Sequence, residues 1–87
     1  MKEIWKYVLD GTTTWMPVGA KVLHADDQHG NICIWALVDP EADTEIRRFA
    51  VFGTGQRIQD SNSLLHVGSF LMADELLVWH VFEVLES

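Results

Sequence analysis

The sequence predicts an all-β protein, a single small antiparallel β-sandwich or barrel of about seven short strands. Two nearly unbroken apolar runs, at residues 32–38 and 76–82, are the first indication. Each run is too short for a globular helix and is rich in β-branched and aromatic residues, which is typical of a strand covered on both faces. Turn signals separate the other apolar segments at roughly eight to twelve residues, a spacing typical of small β domains. We therefore expect two interior strands, covered by a second sheet or by another subunit.

Alternation of apolar and polar residues, together with turn-forming residues between the segments, predicts the other strands. Asp10-Gly11 is a strong hairpin signal and predicts that the first two strands pair with each other. Polar turns are predicted at residues 26–31 and 39–43, a long irregular segment at 53–63, and a short turn at 73–75. The remaining strands are predicted at residues 3–9, 12–16, 21–25, 44–52 and 64–72.

Chain length limits the domain organisation. With 87 residues there is room for one core, so residues 1–87 are predicted to form a single domain. A domain this small buries only about 60–65% of the surface of its unfolded chain, so it needs additional stabilisation. Cys33 is the only cysteine, which excludes an intrachain disulfide. We therefore expect a homo-oligomer.

Composition also indicates the compartment and excludes some partners. A lone cysteine within an apolar run fits a reducing cytoplasm, and the N-terminus mixes charged and apolar residues unlike a signal peptide. No apolar stretch approaches the ~20 residues that cross a bilayer. The net charge of −7 argues against direct binding of nucleic acid or of an anionic membrane. It leaves open a protein partner with a basic surface.

Catalytic and metal-binding motifs have weak support. His24, Asp26, Asp27 and His29 have the side chains that zinc accepts, but their spacing matches no closed site, and a solvated turn explains them. Apolar neighbours make the Cys33 thiol inert. We expect no metal, no cofactor and no catalytic residue, and we expect that the protein is not an enzyme. His80 lies within the last apolar run and is interpreted as a buried, hydrogen-bonded neutral imidazole.

One segment is a candidate ligand site. Half of the six basic residues lie at positions 47–57, around a Gly-Thr-Gly corner whose amides can point at an anion. Guanidinium groups beside such a corner can hold phosphate or carboxylate, which predicts a nucleotide or another small anionic ligand. A glycine-assisted bend with paired arginines is the alternative. The candidate residues are Arg47, Arg48, Gly53, Thr54, Gly55, Gln56 and Arg57.

Tryptophan supplies the candidate interface. Four tryptophans are many for so short a chain. Trp35 and Trp79 lie in the two apolar runs and are predicted to be core residues. Trp15, at a strand end, is predicted to lie at the surface, and Trp5 fits either place. Because surface tryptophan is enriched in binding hot spots, Trp15 and Trp5 are the predicted interface residues.

The whole chain resembles a family of short proteins of unknown function that are encoded by bacteriophages and prophages. The resemblance rests on Trp-Ala-Leu-Val-Asp-Pro at 35–40, Arg-Arg-Phe at 47–49, Phe-Gly-Thr-Gly at 52–55 and Val-Trp-His-Val-Phe-Glu at 78–83. Relatives often have His-Pro where this chain has Gln56-Arg57, so a histidine-dependent role there does not transfer. The resemblance implies a phage accessory protein in the cytoplasm of a bacterial host. Such a protein would bind a host protein stoichiometrically, for instance to inhibit anti-phage defence. Sequestration of a small ligand is the alternative, and a small hydrolase is a more remote one.

Overall fold

The computed structural model describes residues 1–72 and 77–85. Within these residues the chain forms seven strands and no helix, which confirms the predicted fold class. The predicted turn at residues 73–75 and the start of the last apolar run lie outside the described residues. The strands are β1 (Glu3–Val8), β2 (Thr13–Pro17), β3 (Lys21–Gln28), β4 (Asn31–Val38), β5 (Thr44–Gly53), β6 (Leu64–Leu71) and β7 (Val78–Val84).

The strands form two antiparallel sheets that pack as a sandwich. Sheet A has the order β1-β4-β3, and sheet B has the order β2-β5-β7-β6. Both apolar runs are interior strands, since β4 pairs on both sides with β1 and β3, and β7 pairs with β5 and β6. The prediction that these runs are interior strands of their sheets is therefore confirmed. The cover expected on their second face, from another subunit, stays a prediction.

The predicted pairing of the first two strands is wrong. β1 pairs with β4, and β2 pairs with β5, so the turn at Asp10-Gly11 carries the chain from one sheet to the other. The backbone nitrogen of Leu9 donates to the carbonyl of Ile32, and that of Phe49 donates to the carbonyl of Thr12. Turn chemistry shows where a chain reverses, but the partner strand is decided by packing over the whole sandwich.

The predicted turn at residues 26–31 is also too long. β3 continues to Gln28, so Asp26 and Asp27 lie in a strand, and the turn itself is only His29-Gly30. Both turn residues have positive φ, 55° and 83°, as a type I′ hairpin turn requires. The Asp27 carboxylate accepts a hydrogen bond from the Gly30 amide at 3.0 Å.

Alternation along the strands places the core between the sheets. The fully buried side chains include Ile34, Ala36 and Val38 from β4, together with Phe49 and Val81 from sheet B. Because Ile34 and Ala36 face inward, Trp35 faces outward and is half-buried, 5.9 Å from the His24 ring. The prediction of Trp35 as a core residue is therefore wrong. Trp79 packs against the core, as predicted.

The edge strands of the two sheets meet at β3 and β6. Both strands are bulged there, and a Cβ on Gly68 would lie 3.2 Å from the Ala25 carbonyl oxygen and 3.3 Å from its nitrogen. The glycine therefore permits two backbones to approach closely. This contact joins the sheets along one side, and it leaves both outer faces open.

Candidate functional site

Arg47 lies on the inner side of sheet B rather than in an open anion site. Its guanidinium donates to both carboxylate oxygens of Glu83, at 2.9 Å for the Nη2 contact, and to the Ala20 carbonyl at 2.9 Å. Glu45 lies 3.6 Å away. The hydrogen bond to Glu83 raises the pKa of Arg47. This side chain is therefore engaged in a largely buried ion pair between β5 and β7.

The Gly-Thr-Gly corner is a closed turn at the end of β5. The Gly53 amide donates to the side chain of Gln56, the Thr54 amide to the Val78 carbonyl, and the Gln56 amide to the Gly53 carbonyl, at 3.0–3.1 Å. These three amides are thus engaged within the protein.

The other arginines of the predicted anion site lie elsewhere. Arg48 lies on the face of sheet B opposite to Arg47, and Arg57 is exposed in the following loop. The structure does not bring the seven predicted residues into one cluster, and the anion site stays a prediction.

The two predicted interface tryptophans differ in their surroundings. Trp15 is 61% exposed on the outer face of sheet B, as its position at a strand end predicted. Trp5 is 37% exposed on β1, and its Nε1 donates to the Glu3 carboxylate at 2.8 Å. Their roles in an interface stay predictions. Trp15 lies within a larger exposed surface of sheet B.

We call this surface the outer face of sheet B, and it is largely apolar. β2 and β5 contribute Trp15, Ile46 and Phe52 to it, and Ile46 is 44% exposed. The Phe52 ring packs edge-to-face on Phe82 of β7, with centroids 5.8 Å apart. Further apolar side chains come from β7 and β6, namely Val78, Val84, Leu64 and Leu71.

The exposed area of the chain is large for its size. The accessible surface is 5932 Å², whereas a folded monomer of this mass exposes about 5200 Å². Large exposed apolar patches are typical of interaction surfaces.

A row of hydrogen-bonded polar side chains crosses this apolar face. Ser69 Oγ lies 2.8 Å from His66 Nε2 and 2.7 Å from His80 Nδ1. His80 Nε2 in turn lies 2.8 Å from Thr54 Oγ1, which lies 3.2 Å from the Val78 carbonyl oxygen. We call these four side chains the Ser-His relay, after its central pair.

One arrangement of protons uses every contact in the Ser-His relay. In it the Thr54 hydroxyl donates to the Val78 carbonyl, which only accepts, and Thr54 accepts from His80 Nε2. Neutral His80 then has an unprotonated Nδ1, which accepts the hydroxyl proton of Ser69. Having donated that proton, Ser69 accepts from His66 Nε2. In this arrangement both hydroxyl groups and both nitrogens of His80 have partners.

Comparison with known proteins identifies the family. Residues 1–87 match the profile of DUF7352, a domain of unknown function. The chain belongs to the DUF7352 family. No curated protein matches the chain significantly, and neither does any solved structure.

Sequence reasoning missed two members of the Ser-His relay in the DUF7352 domain, His66 and Ser69, and interpreted His80 only as a buried imidazole. In the structure His80 is half-buried and bonded to two hydroxyl groups. Ser69 stands opposite His80 across β6 and β7, but only because of a bulge between His66 and Gly68. Alternation alone does not reveal such a bulge, so the signal was absent from the sequence pattern.

Two further observations on the DUF7352 domain concern metal ions and membranes, and both apply to the residues that the structure describes. Among residues 1–72 and 77–85, no group of three or more His, Cys, Asp or Glu side chains is placed to hold a metal ion. Nor does this part of the chain contain a helix long and apolar enough to cross a membrane.

Proposed function

We propose that this DUF7352 domain acts by stoichiometric binding of another protein, and that the outer face of sheet B is its binding surface. The observation that carries the proposal is the open apolar face around Trp15, Phe52 and Phe82. Interfaces have apolar, aromatic centres, and tryptophan is enriched among the residues that dominate binding energy.

The polar atoms on this face are compatible with burial by a partner. A buried polar group is costly when it lacks a hydrogen bond. Within the Ser-His relay, Ser69, His80 and Thr54 have hydrogen-bond partners in the protein. A partner can therefore cover these three side chains without replacing lost hydrogen bonds to water.

The resemblance to phage-encoded proteins supports a bacterial host protein as the partner, and a component of anti-phage defence is the target that we favour. The net charge of −7 supports a partner with a basic surface next to its apolar contact. On this proposal the protein acts by occupying its target, without chemical turnover.

A matched pair of variants tests the proposal. Ile46 on sheet B and Ile4 on sheet A are both exposed isoleucines on outer strand faces, at 44% and 62%. Ile46→Glu places a charge in the proposed interface, whereas Ile4→Glu places one on the opposite side of the sandwich. The wild-type protein, immobilised in host lysate, should capture a partner at fixed stoichiometry. For that purified partner, Ile46→Glu should weaken affinity at least about 30-fold, as expected for a hot spot, and Ile4→Glu should not.

The opposite ranking of the two variants would contradict the proposal. Solution mass provides the second measurement, because a second copy can compete for the same face. A dimer that Ile46→Glu converts to monomers would show that this face is a self-interface, and it would overturn the assignment to a host protein.

A further inference from the structure

Ser69 is placed as serine nucleophiles are placed. Its hydroxyl is exposed on β6 and lies within hydrogen-bond distance of two imidazole nitrogens. Nucleophilic serines are recognised by a neighbouring base that is itself oriented by a third group. Here His80 is the neighbouring base, and Thr54 is the group that orients it.

The contacts of His80 strengthen this correspondence. With Thr54 donating to the Val78 carbonyl, His80 Nε2 is the protonated nitrogen and Nδ1 accepts from Ser69. This tautomer is the one that a general base needs. By contrast, Ser63 bonds to the Asp60 carboxylate at 3.4 Å.

We propose that Ser69 is a nucleophile that accepts an acyl group from an activated ester, with His80 as the general base. This inference does not depend on protein binding by the same face. Thr54 is a neutral group, so it orients His80 but adds no negative charge to stabilise the imidazolium. The expected reaction is therefore a single acyl transfer to each chain, and repeated turnover is not required.

The step balances without any further reactant. Ser69 Oγ forms a bond to the carbonyl carbon of the ester, and the bond from that carbon to the leaving oxygen breaks. The hydroxyl proton passes to His80 Nδ1 and then to the leaving oxygen, so the products are an acyl-serine and an alcohol. The Nε2–H of His66, 2.8 Å from Ser69 Oγ, is placed to donate to the oxygen that becomes negative.

The surroundings indicate the class of acyl group. The Phe82 ring packs against His66, with centroids 5.2 Å apart, and against Phe52 at 5.8 Å. These rings form an apolar surface beside the relay, where an aromatic or aliphatic acyl group can lie. A charged acyl group would be desolvated there without a partner.

Acylation of the full chain by p-nitrophenyl acetate tests the inference. Intact mass and peptide mapping should show one acetyl group per chain, located on Ser69. Its rate of modification should exceed that of Ser63 by about 100-fold, the lower end of general-base assistance. Modification of Ser69 no faster than Ser63 would overturn the proposal.

Variants separate Ser69 from its neighbours. Ser69→Ala should abolish the fast acylation, and His80→Gln should slow acylation of Ser69 about 100-fold. Imidazoles can themselves cleave this reagent, so the acetyl group on Ser69 is measured by mass rather than by release of p-nitrophenolate. Circular dichroism establishes that each variant is folded, and Ser63→Ala is the matched control with unchanged acylation of Ser69.

Thr54 is a positioning residue, and a conservative variant tests that role. Thr54→Val keeps the shape of the side chain but removes its oxygen, so acylation should slow, whereas Thr54→Ser should restore the wild-type rate. If Thr54→Val does not fold, Thr54→Ser still tests the role of Thr54. Slow acylation of Ser69 in folded Thr54→Ser would contradict the role assigned to the hydroxyl group.

Discussion

The two outer faces of the sandwich differ in their charged residues and in how their polar side chains are hydrogen-bonded. On sheet A, the exposed polar groups pair with one another: Lys6 donates to Gln28, and His24 lies 3.5 Å from Asp26. Among the described strand positions on the outer face of sheet B, Arg48 is the one fixed charge, and the polar row there is a hydrogen-bonded relay within an apolar surface. The first face is typical of a surface in water, and the second of a surface that a partner covers.

This difference shows that neighbouring faces of one small fold can be suited to different environments. Both faces contain large apolar side chains, so exposure of hydrophobic residues alone does not separate them. The separation comes from whether charges are interleaved with those side chains. The contrast between the faces depends on the interactions that hold neighbouring strands together and on those that join the two sheets.

The ion pair between Arg47 and Glu83 gives the largest expected effect. The Glu83 side chain is 9% exposed, so Glu83→Ala leaves the Arg47 guanidinium largely buried without its carboxylate. Removing one partner of a buried pair costs about 3–5 kcal/mol of unfolding free energy. Urea unfolding measures this loss, with Glu41→Ala in an exposed turn as the control. A loss for Glu83→Ala as small as that of the control would show that the pair does not stabilise β5 against β7.

The junction between β3 and β6 gives an intermediate effect. Gly68→Ala places a Cβ 3.2 Å from the Ala25 carbonyl oxygen, and a backbone atom cannot move away as a side chain can. We expect a loss of about 1–3 kcal/mol in urea unfolding, typical of overpacking.

Gly53→Ala is the comparison for Gly68→Ala. Its nearest neighbour is a methyl group of Leu77, at 2.7 Å, which rotation of the side chain can displace. This variant should therefore lose less stability than Gly68→Ala. Equal losses would mean that the two sheets do not approach at Gly68 as described.

Substitution of Tyr7, on the inner face of sheet A, has the smallest expected effect on the free energy of unfolding. Its hydroxyl oxygen is buried and has no hydrogen-bond partner among the residues that the structure describes. Tyr7→Phe removes this unsatisfied group, so it should raise the unfolding free energy by about 1 kcal/mol at neutral pH. A loss of stability would reveal a hydrogen bond to that oxygen.

Tyr7 also predicts a pH dependence. Burial raises the pKa of Tyr7 above its ordinary value of 10.0. The unfolded chain therefore releases this proton at lower pH than the folded chain does, and stability falls as pH rises through about 10. Urea unfolding at pH 8 and above should show a smaller alkaline loss for Tyr7→Phe than for the wild type. Identical alkaline profiles would contradict the burial of this hydroxyl group.

The sequence predicted the strands better than their arrangement. Short apolar runs located β4 and β7 because interior strands leave a local signal. Pairing of β1 with β4 has no such signal, and the Asp10-Gly11 turn suggested a hairpin that does not form. Trp35 was assigned to the core because both faces of its run are apolar, and only the register with its neighbours shows that it faces outward.

The candidate site depended still more on tertiary structure. Arg47 and Arg48 are adjacent in sequence, but alternation sends them to opposite faces of β5. Thr54, Ser69 and His80 are far apart in sequence and meet through the register of three strands. A linear motif therefore suggested one site at residues 47–57, whereas sheet geometry assembles another that includes only Thr54 from that segment.

Hydroxyl-radical footprinting of the complex tests the central contrast most directly. Trp15 lies on the outer face of sheet B and Trp35 on that of sheet A, so each reports on one face. Partner binding should reduce oxidation of Trp15 and leave that of Trp35 unchanged. Protection of Trp35 with undiminished oxidation of Trp15 would contradict the assignment of the outer face of sheet B as the binding surface.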